Sequence, residues 1–523
     1  MKLRWLHRVV ESALAHHLCV VQHLLTIYLF ILKTKGILLM ANKTKLVVVI
    51  GVICLCTLAG RWVFSFEQRK VAVRQSIVEQ LAEANPELWQ EQYPQEYASW
   101  KKTIEPTPVG KSRYKKGFDA DGTIYSRLNE FPYLALLLNG SGYGLEFSEP
   151  RGHGYMIHDQ LEIEPVRLKS GGTCLSCKTP YAQQLQQELG AEYFSGSFED
   201  VRAAIPEPDK MRGVGCSDCH HSRDDVQLEV KREFTLGKAL AALGFSTEQR
   251  DNQAMRSLVC AQCHVSYNIA KDENKVPVDV SFPWQDSKWG AIRVENIISH
   301  IRNHPELNEW TQAVTGFKLG FIRHPEFELF SNDSLHWQQG ATCADCHMPA
   351  DENGVSDHRV MSPLKNDLVA CAQCHAEEPE QLRAQVYAIQ DEVAALMINT
   401  GQVTATVAKL FEITHQAQAN GKVVPEQLYA AAKENYIEAF YRLMFIQSEN
   451  SMGFHNPAEA LRVLHDGLAA AQKAETLLRR ALAEAGVVVA VTIDLHLEKY
   501  LQDRGTKRLP HLPEMEVKVP SQN

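Results

Sequence analysis

Cys174-Leu175-Ser176-Cys177-Lys178 carries two thiols three positions apart with an amine directly after them. Four later stretches repeat the pair of thiols with an imidazole in the last place. They are Cys216/Cys219/His220, Cys260/Cys263/His264, Cys343/Cys346/His347 and Cys371/Cys374/His375. A C-x-x-C-H run binds a haem covalently through both cysteines and offers the histidine to its iron. Four sites follow that rule, and Lys178 breaks it at the fifth. A lysine amine binds iron only when neutral, a state that burial and the metal must enforce. For a plain electron conduit that is a poor choice, because histidine serves without strain. The lysine site is therefore read as a five-coordinate haem with an open distal face for a substrate.

Zinc is the competing use of paired cysteines. Zinc ribbons set two C-x-x-C knuckles about 15–20 residues apart. Here the first cysteines stand at 174, 216, 260, 343 and 371, which is 42, 44, 83 and 28 residues apart. Zinc also has no need of a histidine immediately after the second cysteine. Haem is the better reading at all five sites.

Each iron has two axial positions, and the four motif histidines fill one apiece. Bis-histidine ligation of four haems needs four more histidines. Thirteen lie outside the motifs between His153 and His511, and their places along the chain do not choose among them.

Ten of the chain's 13 cysteines sit in the motifs, and the other three, Cys19, Cys54 and Cys56, lie in an N-terminal apolar region. That leaves no cysteine in the body for a structural disulfide. With 523 residues, 45% of them apolar, the chain can bury a large core, to which five haems would add. A net charge of −9 provides no basic field for nucleic acid, so an anionic substrate needs a locally positive entrance.

The elements that must position these groups follow in chain order. Residues 1–66 read as a leader. An apolar run from Leu46 to Ala59, preceded by Lys43 and Lys45, has the length of a signal-peptide core. Met40 is then a candidate start, with 1–39 untranslated, and a signal anchor reaching Trp62-Val63-Phe64 is the alternative. Either way the chain is expected outside the cytoplasm, periplasmic or anchored by residues 46–66. The region 67–377 holds all five motifs, mostly in turns and short helices, with a helical apolar stretch at Tyr133–Leu138. Within 378–503, helices are predicted at Pro379–Asn399, Thr404–Ala419, Glu426–Glu449 and Pro457–Ala485, from apolar residues at helical spacing. Asn456-Pro457 starts the last helix and Gly486 stops it. Residues 504–523 read as a loose tail. The fold class is mainly α, with a haem-packed core, long C-terminal helices and little β.

One C-x-x-C-K site followed by four C-x-x-C-H sites resembles the pentahaem, ammonia-forming cytochrome c nitrite reductases. Supporting segments are Pro150-Arg151-Gly152-His153, Cys260 to Tyr267, Arg323-His324-Pro325-Glu326, Cys343 to Pro349, Asp357-His358 and Ser451 to Pro457. The similarity runs in consistent order over about residues 90–490. It implies five covalent haem c groups and six-electron reduction of nitrite to ammonium. Lys178 would hold the catalytic haem 1. His220 with His358 would hold haem 2, His264 with His153 haem 3, His347 with His455 haem 4, and His375 with His336 haem 5. The family's distal pocket has an arginine, a tyrosine and a histidine, which fall on Arg167, Tyr267 and His324. Arg167 is the only arginine from Gly152 to Lys178, although Val166 to Gly171 departs from the family's usual Leu-Arg-Thr-Gly form. Many members hold a calcium ion beside the pocket through a glutamate and a glutamine. Those positions are Ser266 and Arg323 here, so calcium is not expected, and the Arg323 guanidinium is expected to replace it. The resemblance also implies a membrane quinol-oxidising multihaem cytochrome as electron donor and a homodimer through the C-terminal helices. Two other readings stand beside it: a multihaem electron carrier with no substrate site, and a related multihaem enzyme of hydroxylamine or sulfur oxyanions.

Overall fold

The computed structural model describes residues 83–501 and 507–508, apart from 107–108, 118–121, 164, 208 and 247–248. The leader expected over 1–66 lies outside them, as does the 504–523 tail except Lys507 and Arg508. Those two residues pair antiparallel with Thr123–Ile124. Among the described residues no helix is long and apolar enough to cross a membrane.

The architecture is mainly helical. Strands among the described residues form three two-stranded ladders, and the longest pairs Asn268–Lys271 with Pro277–Ser281. Between Pro165 and His375 the helices are short, ten residues at most apart from the irregular 3-10 stretch Pro165–Cys177. Turns that wrap haem motifs leave little room for long regular runs.

Beyond Glu378 three long helices follow, Pro379–Ala419, Glu426–Ser448 and Pro457–Glu484, each packed on the other two. Asn456 caps the third, its side chain accepting from the Glu459 amide at 3.2 Å with Pro457 in the first turn. Gly486 ends it with a φ of 70°. The first helix differs from expectation. It runs unbroken for 41 residues where two helices are predicted, with Gly401 inside it. A Cβ at Gly401 would stand 2.3 Å from the Tyr133 ring, so the glycine serves close packing and not a break.

That contact also places the apolar stretch before the motifs. Tyr133–Leu137 is a helix whose five residues are all buried, and Tyr133 Oη donates to the Gln447 side chain at 3.0 Å. The largest apolar cluster draws on this helix, on Asn252–Ala261 and Val294–Asn303, and on all three long helices. Helical bundle and motif region therefore share one core. A smaller cluster surrounds the lysine motif, built from Leu175, Tyr181, Tyr193, Phe194, Phe198 and Val201.

Candidate active site

Four pairs of imidazoles meet inside the motif region. Ring centroids lie 6.2 Å apart for His153 and His264, and 6.2 Å for His220 and His358. They lie 6.3 Å apart for His347 and His455, and again for His336 and His375. Two metal–nitrogen bonds of about 2 Å, with two offsets of about 1.1 Å from ring centre to nitrogen, span about 6.2 Å. Each pair is thus spaced to hold one iron between two rings.

Nδ1 of most of these rings is turned to an acceptor. His220 Nδ1 is 2.7 Å from the Val226 carbonyl, His358 Nδ1 2.9 Å from that of Ser356, and His347 Nδ1 3.0 Å from that of Met361. Carboxylates take the place of carbonyls for His264 (Glu326, 3.8 Å), His455 (Glu449, 3.5 Å) and His375 (Glu377, 3.7 Å). Metal-bound imidazoles use one nitrogen for the metal and give the other to such a partner. The residues fit four bis-histidine haems, and every motif histidine meets the partner that the resemblance implied.

The ten motif cysteines are all free of disulfides, and nine of them are part-buried. Cys374 is the exposed one. Its neighbours Ala372, Gln373 and His375 are exposed as well. All four belong to the fifth motif. It lies where the short helix Val369–Ala372 gives way to the turn before the long helix from Pro379. Of its two thiols only that of Cys371 packs on apolar neighbours, the small cluster of Leu364, Leu368, Leu382 and Val386.

The other motifs interlock. Cys177 Sγ lies 3.9 Å from the Gln262 carbonyl and Cys263 Sγ 3.7 Å from that of Cys177, so the lysine motif stands against the third. Arg232, 2% exposed, donates to the carbonyls of Ser176 and Thr179 and pairs with Asp218 of the second motif. Gln262 Nε2 donates to the Asp218 carbonyl at 2.9 Å. Neither Arg232 nor Gln262 shows this role in the sequence. Only a buried arginine's need for partners could have signalled it. At Gly171, φ is 60° and a Cβ would meet the Gly196 carbonyl at 2.5 Å, so glycine is required where the chain tightens into the lysine motif.

Lys178 opens into a cavity of about 190 Å³. Arg167, Arg323 and His324 share its wall with Tyr143, and Phe147, Phe321, Ile322 and Met444 supply apolar lining. Arg167 lies over the Tyr143 ring at 4.3 Å and donates one Nη1 bond to the Glu146 carbonyl at 3.4 Å. That stacking holds the guanidinium plane while leaving donors for a ligand. His324 has a φ of +48° just before Pro325, a conformation that costs a non-glycine residue about 1–3 kcal/mol. Backbone strain at that residue aims its ring.

Tyr267 is not among the residues lining the cavity. It reaches the site through Arg323, whose guanidinium lies 4.9 Å over its ring and donates to its carbonyl at 3.2 Å. The same guanidinium grips Glu309 with both nitrogens, at 2.7 and 2.6 Å. Burial works against this charge, but Glu309 holds the Arg323 guanidinium firmly protonated. Burial also pushes the Tyr267 phenol well above its usual range, and nearby Tyr143 adds to that. Tyr143 moves the other way. Burial would raise it, yet Arg167 and Arg323 together lower it, making it the more acidic phenol at the site. Glu309 and Tyr143 are not legible from spacing, since neither lies in a motif. At the two positions where calcium ligands would be sought, this chain has Ser266 and Arg323. Ser266 Oγ is buried without a partner, Arg323 pairs with Glu309, and Glu328 accepts from the Ser266 amide at 2.7 Å.

Residues 85–522 match the family model for cytochrome c552. A cytochrome c-552 of Bacteroides fragilis is 29% identical over 420 residues, covering 78% of this chain and 79% of that protein. The cytochrome c nitrite reductase subunit NrfA of Nitratidesulfovibrio vulgaris is 28% identical over 420 residues, covering 75% and 77%. Among solved structures, cytochrome c nitrite reductase from Desulfovibrio desulfuricans superposes with a TM-score of 0.68 at 26% identity, covering 83% of this chain and 97% of that one. The chain belongs to the cytochrome c552 family, that of the multihaem cytochrome c nitrite reductases.

Proposed function

We propose that this chain is an oxidoreductase that reduces nitrite to ammonium at a c-type haem held by Lys178. The observation that carries this is the cavity that Lys178 shares with Arg167, Arg323 and His324, next to four imidazole pairs spaced for iron. Nitrite is a small anion, and its conversion takes six electrons and eight protons, releasing ammonium and two waters. A haem iron in this position supplies those electrons and a Lewis-acid site for nitrogen.

The chain's own groups do the rest. The Arg167 guanidinium, fixed on Tyr143, binds and orients the anion by charge-assisted hydrogen bonds. His324 stands at the cavity wall as proton donor, its imidazole held below its usual range by burial, which outweighs the raising effect of Glu326. Tyr267 stands behind that wall and acts through Arg323, whose guanidinium lies over its ring and bonds its carbonyl. Phe147, Phe321, Ile322 and Met444 form the apolar part of the wall, which also carries Glu146, Glu149, Asp159 and Glu162. The deciding assay follows nitrite consumption and ammonium release by haem-loaded protein with a reduced dye as donor. Absence of ammonium would defeat the reading.

Five covalent haems are proposed, one per motif. Haem analysis of purified protein checks the number. Arg323 stands in for calcium, a reading supported by its double bond to Glu309 and its bond to the Tyr267 carbonyl. Stoichiometric calcium in fully active protein would overturn that. The family's habits support a periplasmic location, a homodimer through the long helices and a quinol-oxidising multihaem cytochrome as donor. Size measurement of the holoenzyme in solution tests the dimer.

A further inference from the structure

Glu326 opens the Glu326–Ser331 helix two residues after His324, and its side chain is buried. Its Oε1 stands 3.9 Å from Nδ1 of His324, and its Oε2 stands 3.8 Å from Nδ1 of His264. The two rings face each other edge-on with centroids 6.4 Å apart. His324 Nδ1 and Glu326 Oε2 are both buried and have no closer hydrogen-bond partner. The rest of the carboxylate is anchored. Asn450 Nδ2 donates to Oε1 at 2.7 Å, Arg127 donates to the Asn450 side-chain oxygen at 2.5 Å, and Arg127 pairs with Glu149 at 2.7 Å.

We propose that Glu326 is a positioning residue shared by the substrate pocket and the haem of the His153–His264 pair. This deepens, and rests on, the reading of the site as a nitrite reductase. On one side Glu326 Oε1 faces Nδ1 of His324 at 3.9 Å, which favours a proton on that nitrogen and leaves Nε2 free to face the cavity. On the other its Oε2 faces Nδ1 of His264 at 3.8 Å. A carboxylate in that place makes a metal-bound imidazole a stronger donor and favours the oxidised iron. His220, His358 and His347 have neutral carbonyls there. Unlike the carboxylates near His455 and His375, Glu326 also reaches a residue of the substrate cavity. The strained backbone at His324 and the proline after it bring both rings to one carboxylate.

The test is potentiometric titration of the holoenzyme, followed by low-temperature electron paramagnetic resonance without nitrite present. In Glu326→Gln, one bis-histidine midpoint is expected to rise by about a tenfold change in its redox equilibrium, about 59 mV for one electron. The other midpoints are expected to stay in place, and kcat for nitrite to fall more than KM rises. In His324→Ala the carboxylate is no longer shared, and the same midpoint is expected to fall. Unmoved bis-histidine midpoints in both variants would overturn the proposal, whatever happens to activity. If Glu326→Gln fails to take up its haems, His324→Ala decides alone, since His324 holds no haem. Wild-type protein that forms no ammonium would defeat the functional reading instead, and the midpoints are read independently of that result.

Discussion

Lys178 and Arg323 carry the residue-scale argument, since each departs from a common pattern. Lys178→Ala is expected to lower nitrite turnover by at least about a hundredfold, while the other four motifs keep their haems. Turnover measured beside haem content separates those effects. Arg323→Gln removes the partner of a carboxylate that is 2% exposed, and breaking such a buried pair costs about 3–5 kcal/mol. It also frees the Tyr267 carbonyl. A lower thermal midpoint together with reduced activity is expected, and equal stability in the two proteins would refute the assignment. The ligands were legible because covalent attachment demands fixed spacing, and because four regular haems demand four extra histidines. Spacing says nothing of what the fold brings beside a motif, however, so the roles of Arg232 and Gln262 could not be read from it. Glu309, Tyr143 and Glu326 were not legible either. Their roles come from neighbours that the fold brings to them, as with Glu309 and Arg323, which flank the ladder of Trp310–Thr311 with Lys318–Leu319 and share two hydrogen bonds.

At the scale of elements, the short Glu326–Ser331 helix does the most with the fewest residues, since all six are buried. It presents Glu326 to the two imidazoles and Glu328 to the Ser266 amide at 2.7 Å and the Trp284 indole at 2.9 Å. Burial pushes the Glu328 carboxyl up from its ordinary value of 4.5 to about 8, more than those two donors bring it down. A carboxyl raised on folding binds more protons in the folded state. Its contribution therefore stabilises the protein fully below pH 4.5 and is lost as pH rises towards 8. Glu328→Gln should flatten the fall in stability over that interval, measured by denaturant unfolding of holoenzyme at several pH values. An unchanged slope would count against the buried, protonated carboxyl. Long amphipathic helices announced themselves by period and caps, as at Asn456-Pro457 and Gly486. The join across Gly401 did not, because the reason for a glycine there is the Tyr133 ring, far away in sequence. Short elements such as Glu326–Ser331 carry no periodic signal of their own.

Across the whole molecule the third motif is the hub. It touches the lysine motif through Cys177 and Cys263, and the second through Gln262 and Asp218. It meets the fourth through the bond from the Cys343 amide to Ser257 Oγ at 3.3 Å. The fifth joins the fourth where Gln373 Nε2 donates to the Ala350 carbonyl at 3.2 Å. The lysine motif packs on the third motif and, through Arg232, on the second, so the His153–His264 pair lies on the chain of contacts that leads from the fourth and fifth motifs to Lys178. Its redox potential should limit throughput while leaving the nitrite cavity untouched. Replacing one imidazole by a thioether raises a haem's potential. His153→Met is expected to turn that haem into an electron trap, cutting kcat for nitrite about tenfold or more with KM little changed. Steady-state kinetics with a dye donor reads both quantities. A rise in KM with kcat preserved would place His153 at the substrate instead, and an unaltered kcat would mean that electrons reach Lys178 by a route that bypasses the third motif.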